Sequence, residues 1–274
     1  MKKFIIIFIL TLSLLPFILY DCNSQNPDAQ ASLEKLFGRL VTSHNDRDRI
    51  RINDSIELVI DGYSRSDTIF THKFRNLKYL GQIASENSQL KILTWNLLLD
   101  SAGSKYICYF IHRSANKNSV RKLEKTYSKE PVRNDTVYSE KNWYGALYYD
   151  MRTSGKGNKI HWVLLGIDYG NPSVTRKIID VLSFNPDGTI LFGKKIFASG
   201  ENTKFREVLE YSSDAVISLK FGSQKSIVFD HLVPVSPAFK GNREYYGPDY
   251  SYDAYNLEKG VWKLETNIDV RNKK

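Results

Sequence analysis

The chain has 274 residues, is 42% apolar and carries a formal charge of +9. That apolar fraction supports a packed core and excludes a disordered chain. The basic residues stand singly or in pairs among Asp and Glu, densest at 120–129, which describes a solvated basic face and argues against a nucleic-acid footprint.

In chain order, Lys2 and Lys3 precede an apolar run over 4–19 that only Thr11, Ser13 and Pro16 interrupt. Asp21 ends the run, and Asn23, Ser24, Gln25 and Asn26 follow as a polar exit. This is the layout of a secretory signal peptide. A retained membrane anchor needs roughly 20 apolar residues, and this run is shorter and carries Pro16 near its end. Cleavage after Ser24 places the small residues Cys22 and Ser24 where a signal peptidase inspects them. Cys22 also suggests lipoprotein processing, although Tyr20 and Asp21 precede it where a small residue is usual. The expectation is a signal peptide over 1–24 and a protein at work in the periplasm, at the cell surface or in the medium. Membrane contact is expected only with a retained signal or a lipidated Cys22. Cleavage removes two lysines and one aspartate, leaving about +8, and makes Cys108 a lone cysteine with no internal disulfide.

The remaining residues, 25–274, are expected to form a single α+β domain: a helical part over about 26–64 and a β part over about 75–274. Asn26-Pro27-Asp28 has the composition of a helix start, and Leu33, Leu36, Phe37, Leu40 and Val41 share one helical face. A second helix carries Ile52, Ile56, Val59, Ile60 and Tyr63 as its buried stripe, with Asn45 or Asp46 as cap. From about residue 75 the period shortens. Strands are expected at 77–84, 90–98 and 105–112, then at 143–151, 160–168, 177–184, 189–197, 205–211, 215–221, 226–232 and 261–266. Asn185-Pro186-Asp187-Gly188 is the strongest hairpin signal. The polar, charged stretch 114–141 is expected to be a long loop. Apolar residues on both faces of 143–151 and 160–168 imply packed sheets, a closed barrel or a sheet covered by the helices. The fold expected is thus α+β, two N-terminal helices followed by a predominantly antiparallel β region of about nine to eleven strands, as a meander, sandwich or barrel.

Nucleotide loops, the Gly-x-Ser-x-Gly elbow and His-Glu-x-x-His are all absent from the sequence. None of the five histidines is paired at zinc spacing, so no metal and no cofactor is expected. Asp230 and His231 are neighbours that a strand would turn to opposite sides. Cys108 and His112 lie on one strand face but roughly 13 Å apart, which describes an inert buried thiol.

The unusual segment is EYYGPDYSYDAY at 244–255, with five tyrosines, three acids and a Gly-Pro turn in no regular period. Its candidate ligand contacts are Tyr245, Tyr246, Asp249, Tyr250, Tyr252 and Asp253, tyrosine faces for stacking and carboxylates for hydroxyl groups. The bland alternative is a crossover pinned onto the β core by its tyrosines. The function expected is a non-enzymatic binding or structural module whose partner is a glycan, a peptide or an envelope component. The alternative is a secreted hydrolase acting on glycan or peptide through Asp168, Asp230, Asp249 and Asp253.

The phrases WYGALYY (143–149), LLGIDYG (164–170), RKIIDVLSF (176–184), FDHLVP (229–234), EYYGPDYSYDAY (244–255) and ILTWNLLLDSAGSKYICYFI (92–111) resemble a group of exported proteins of Bacteroidota without an assigned activity. The resemblance spans most of the expected mature chain. It implies an envelope location and a Gram-negative source, and it supplies no catalytic residues.

Overall fold

The computed structural model describes residues 25–114 and 117–268. The expected signal peptide, with Cys22, lies outside them. Two helices come first, α1 (Gln25–Thr42) and α2 (Asp46–Ser64). Asn45 caps α2 as expected: extended itself, it accepts the Asp48 amide on its side chain at 2.9 Å. Sixteen strands follow among the described residues: β1 (Gly81–Ala84), β2 (Leu90–Leu99), β3 (Gly103–Ser114), β4 (Lys117–Thr126), β5 (Tyr138–Ser139), β6 (Leu147–Ser154), β7 (His161–Asp168), β8 (Val174–Phe184), β9 (Ile190–Phe192), β10 (Phe197–Ser199), β11 (Asn202–Lys204), β12 (Glu207–Ser212), β13 (Leu219–Ser223), β14 (Ser226–Pro234), β15 (Tyr246–Glu258) and β16 (Val261–Ile268).

They build three sheets. Sheet A has the order β1-β2-β3-β4. Sheet B has the order β5-β9-β8-β7-β6, and β12 pairs with the N-terminal half of β8. Sheet C has the order β11-β10-β16-β15-β14-β13. Among the described residues every pairing is antiparallel apart from β10 with β16. The α+β reading therefore holds: two helices, then a predominantly antiparallel β region.

Side chains alternate across each strand, and this alternation sorts the core into three layers. Leu93, Trp95, Leu97, Ile107, Tyr109 and Ile111 face α1 and α2, meeting Leu33, Phe37, Ile56 and Ile60. The opposite face of sheet A, with Ile92, Tyr106, Cys108 and Phe110, packs on Trp162, Leu164, Ile178 and Leu182 of sheet B. The far side of sheet B, with Val163, Leu165, Ile179 and Val181, packs on Ile227, Phe229, Tyr255 and Trp262 of sheet C. The order is helices, sheet A, sheet B, sheet C. The central strands of sheets A and B, β2, β3, β7 and β8, are buried on both faces, which is why they carry apolar residues at consecutive positions.

The stretch 114–141 departs from the expected loop. It contains β4, which pairs along its whole length with β3, from Lys105↔Thr126 to Ser114↔Lys117. β4 is an edge strand rich in Lys, Arg and Glu, and only Leu123 is buried in it. Edge strands are protected by charge of this kind, so the composition that looked like a loop is that of a guarded edge. The expected strand at 189–197 is two, β9 and β10, parted at Gly193, whose φ of 105° breaks the extended chain.

One buried charge lies in the helix-side layer. The Lys91 ammonium donates to the Tyr63 hydroxyl (3.1 Å), the Ile69 carbonyl (2.7 Å) and the His72 carbonyl (2.6 Å). All three of its protons are satisfied, yet no carboxylate pairs with it among the described residues. Burial, and then the charge of Lys73, pulls its pKa down to about 8. The folded state thus sheds this proton at a lower pH than the unfolded chain does. Between about pH 8 and the usual lysine value the unfolded state binds more protons, and stability rises with pH. The expected gain is on the order of 2 kcal/mol across that window. It should be read as the difference between wild type and Lys91→Met in urea titrations at pH 7.5 to 10.5. Parallel curves would contradict it.

Candidate functional site

The segment 244–255 is no loop or crossover. Most of it is β15, thirteen residues long and central in sheet C. It looked aperiodic because a bulge interrupts it. Leu232 pairs with Pro248 and Asp230 with Tyr252, so Asp249, Tyr250 and Ser251 stand opposite His231 alone. The two extra residues, with Tyr250 at positive φ, shift the pleat: the inward-facing side chain is Tyr246 before the bulge, and Asp253 and Tyr255 after it.

The six expected contacts are therefore divided. Tyr246 is buried, takes the Gly241 amide on its hydroxyl at 3.0 Å and lies under the Arg243 guanidinium. Asp253 is buried too. Its carboxylate accepts from His231 Nδ1 (2.9 Å to Oδ2) and from the Asn267 amide (3.1 Å to Oδ1). Both residues hold the strand in place and are not free ligand contacts. Tyr245 is half in solvent, stacked on Phe239 at 4.0 Å. Asp249 is exposed, and the Ser251 hydroxyl and amide on its Oδ1 (2.7 and 3.1 Å) hold its carboxyl below the usual range. Tyr250 is 94% exposed at φ 69°, a conformation that costs a non-glycine residue of order 1 kcal/mol or more and so needs the bulge around it. Tyr252 is half-buried on the outer face of sheet C.

That outer face holds a groove of about 720 Å³. Register explains its lining. Lys220, Val228, Ala254 and Glu265 stand in one cross-strand row from β13 to β16. Ser226 and Asn256 pair in the next row, and Tyr252 follows on the other side. Ala254 forms a low floor, and Gly222 keeps the β13 side low: a Cβ there would come within 2.8 Å of Ser226 Oγ and 2.9 Å of Val228 Cγ2. Among the described residues the side chains of Lys220, Asn256 and Glu265 and the Tyr252 hydroxyl have no hydrogen-bond or ion-pair partner. An aromatic face and unbonded donors and acceptors thus share one shallow apolar floor.

Of the acids of the hydrolase alternative, Asp249 and Asp253 both stand near His231, while Asp168 and Asp230 have other partners. Asp168 belongs to the layer between sheets A and B, bound by Tyr106 Oη (2.6 Å) and Arg176 Nη1 (3.3 Å). Asp230 accepts the Ser218 amide at 2.8 Å. His231 and Asp253 form a pair that adjacency in sequence concealed, because the partner comes from the neighbouring strand and not from Asp230. Ser251 is bonded to Asp249 and lies 3.1 Å from Asn267 Oδ1, so it is not aimed at the imidazole. Cys108 is fully buried, and burial pushes its thiol pKa up; His112 stacks on Phe184 at 4.0 Å. Among the described residues no group of three or more His, Cys, Asp or Glu could hold a metal ion, and no helix is long and apolar enough to cross a membrane.

Neither a family model, nor a curated protein, nor a solved structure matches this chain.

Proposed function

We propose that this protein is an exported, non-enzymatic binding module that holds a neutral, hydroxyl-rich chain, a glycan, in the groove of sheet C. The observation that carries this reading is the company Tyr252 keeps: Lys220, Asn256 and Glu265 line the same groove with no partners among the described residues. Sugars offer apolar ring faces and a rim of hydroxyls, and the groove answers with a tyrosine ring, an apolar floor and unbonded polar groups. One lysine and one glutamate balance in charge, which favours a neutral ligand over an ionic one. Export rests on the residues at 1–24.

A thermal-shift panel of neutral oligosaccharides, short peptides and divalent cations tests the reading. A glycan at a hundredfold excess over Kd is expected to stabilise the protein by about 2.7 kcal/mol. Tyr252→Ala is expected to weaken binding tenfold or more, because an aromatic anchor in a groove carries a large share of affinity. A flat panel, or a stabiliser indifferent to Tyr252→Ala, would defeat it. The hydrolase reading keeps one favouring observation, the His231–Asp253 pair. Cleavage of a glycan or peptide by wild type and not by His231→Ala would carry it.

A further inference from the structure

We propose a second site, at the opposite end of the layer stack from sheet C: the loop 71–76 binds a phosphate group, through Lys73 and Arg75, in the cavity between that loop and α1. The cavity measures about 1080 Å³, and Gln30, Glu34, Thr71, His72 and Asn76 also line it.

Three side chains from three elements fix this loop. From α1, Gln30 Nε2 donates to the Arg75 carbonyl (2.6 Å) while its Oε1 accepts the Arg75 amide (3.0 Å). From β1, Gln82 grips Phe74 in the same two-point way, at 3.0 Å for each bond. From β2, Lys91 holds the Ile69 and His72 carbonyls. Side-chain bonds of this density on a short connection pre-organise it, and pre-organisation is what a small anion site needs.

The charge is out of balance. Lys91 is buried with no carboxylate partner, and neither Lys73 nor Arg75 makes an ion pair among the described residues. Glu34, the one acid lining the cavity among the described residues, accepts from Gln30. The positive fields overlap at His72, whose pKa is lowered by burial and then by Lys91 and Arg75. A bound anion would relieve that repulsion, since Glu34 is bonded to Gln30 and makes no ion pair with Lys73, Arg75 or Lys91 among the described residues. Phosphate fits the donors present: an ammonium, a guanidinium and the side-chain amide of Asn76. Two sources share this chemistry, a free phosphate ester and a phospholipid headgroup.

The test uses the whole purified protein with inorganic phosphate, glycerol 3-phosphate, and vesicles of phosphatidylcholine with and without phosphatidylglycerol. The variant is Lys73→Gln/Arg75→Gln, both exposed, so the loop's backbone bonds remain. The control is Lys240→Gln/Arg243→Gln, which removes equal charge elsewhere. Saturable phosphate binding is expected, weakened about ten- to a hundredfold in the loop variant and unchanged within about twofold in the control. Binding of the two soluble probes alone points to a free ester; added binding of the anionic vesicles points to a headgroup. Equal loss in both variants would mean diffuse attraction to a basic protein and would overturn the site, as would no saturable binding of any probe. Tyr252→Ala should leave phosphate binding unchanged, so the glycan groove and this site stand or fall separately.

Discussion

Replacing Asp180 with alanine is expected to lower the unfolding free energy by about 3–5 kcal/mol, a fall in Tm of roughly 10 °C. Asp180 and Arg206 are 0% exposed, and Arg206 Nε donates to Asp180 Oδ2 at 2.9 Å. Burial pushes the Asp180 carboxyl up, while the guanidinium, the Val181 amide (2.7 Å) and the Tyr144 hydroxyl (2.9 Å) hold it as the anion. Without the carboxylate, a guanidinium stays in the core with no counterion. A buried ion pair can often be exchanged for apolar residues at little cost, but not this one. Arg206 also donates to the carbonyls of Arg133, Thr136 (2.9 Å) and Phe192 (3.0 Å), tying the crossover from sheet A to sheet B onto the core. The double variant Asp180→Leu/Arg206→Met should therefore recover little, since three carbonyls lose their donor. Urea denaturation of the single and double variants checks both statements. A double variant as stable as wild type would show that the pair is dispensable.

Trp95→Ala is expected to cost a similar 3–5 kcal/mol, for a different reason. Trp95 is the largest of the side chains by which sheet A meets the helices. Its ring stacks on Tyr109 (5.7 Å, 16°) and meets Phe37 edge-on (6.3 Å, 88°). Its indole N–H donates to Asn53 Oδ1 at 2.8 Å, one of the few polar contacts inside that layer. Truncation opens a cavity and orphans a buried amide oxygen. Trp95→Phe keeps most of the ring and loses the hydrogen bond, so about 1–2 kcal/mol is expected. Near-equal losses for the two variants would place the energy in the hydrogen bond and not in the packing.

The helices and most strands were legible because their signals are local. Asn45 caps α2, and Asn185 to Gly188 forms the turn between β8 and β9, with Gly188 at φ 81° and its amide on the Asn185 carbonyl. What stayed hidden depended on neighbours. β4 has a charged surface because it is an edge, and no property of residues 117–126 alone shows that β3 lies beside it. β15 is the clearer case, since the bulge at Asp249–Ser251 shifts its inward positions by one and erases the period of two. Of the six expected contacts, Tyr250 and Tyr252 stand where a ligand could meet them, Tyr245 and Asp249 flank them, and Tyr246 and Asp253 belong to the frame. The rest of the groove was unreadable for the same reason: Lys220, Asn256 and Glu265 become neighbours only through register across four strands.

The most direct test of the binding reading is amide NMR of the purified protein titrated with the oligosaccharide that stabilises it most. Shifts should concentrate at Lys220, Ser226, Val228, Tyr252, Asn256 and Glu265, saturate with one affinity and vanish in Tyr252→Ala. Saturable shifts centred elsewhere in the stack, or none, would contradict the assignment of sheet C as the ligand-bearing face.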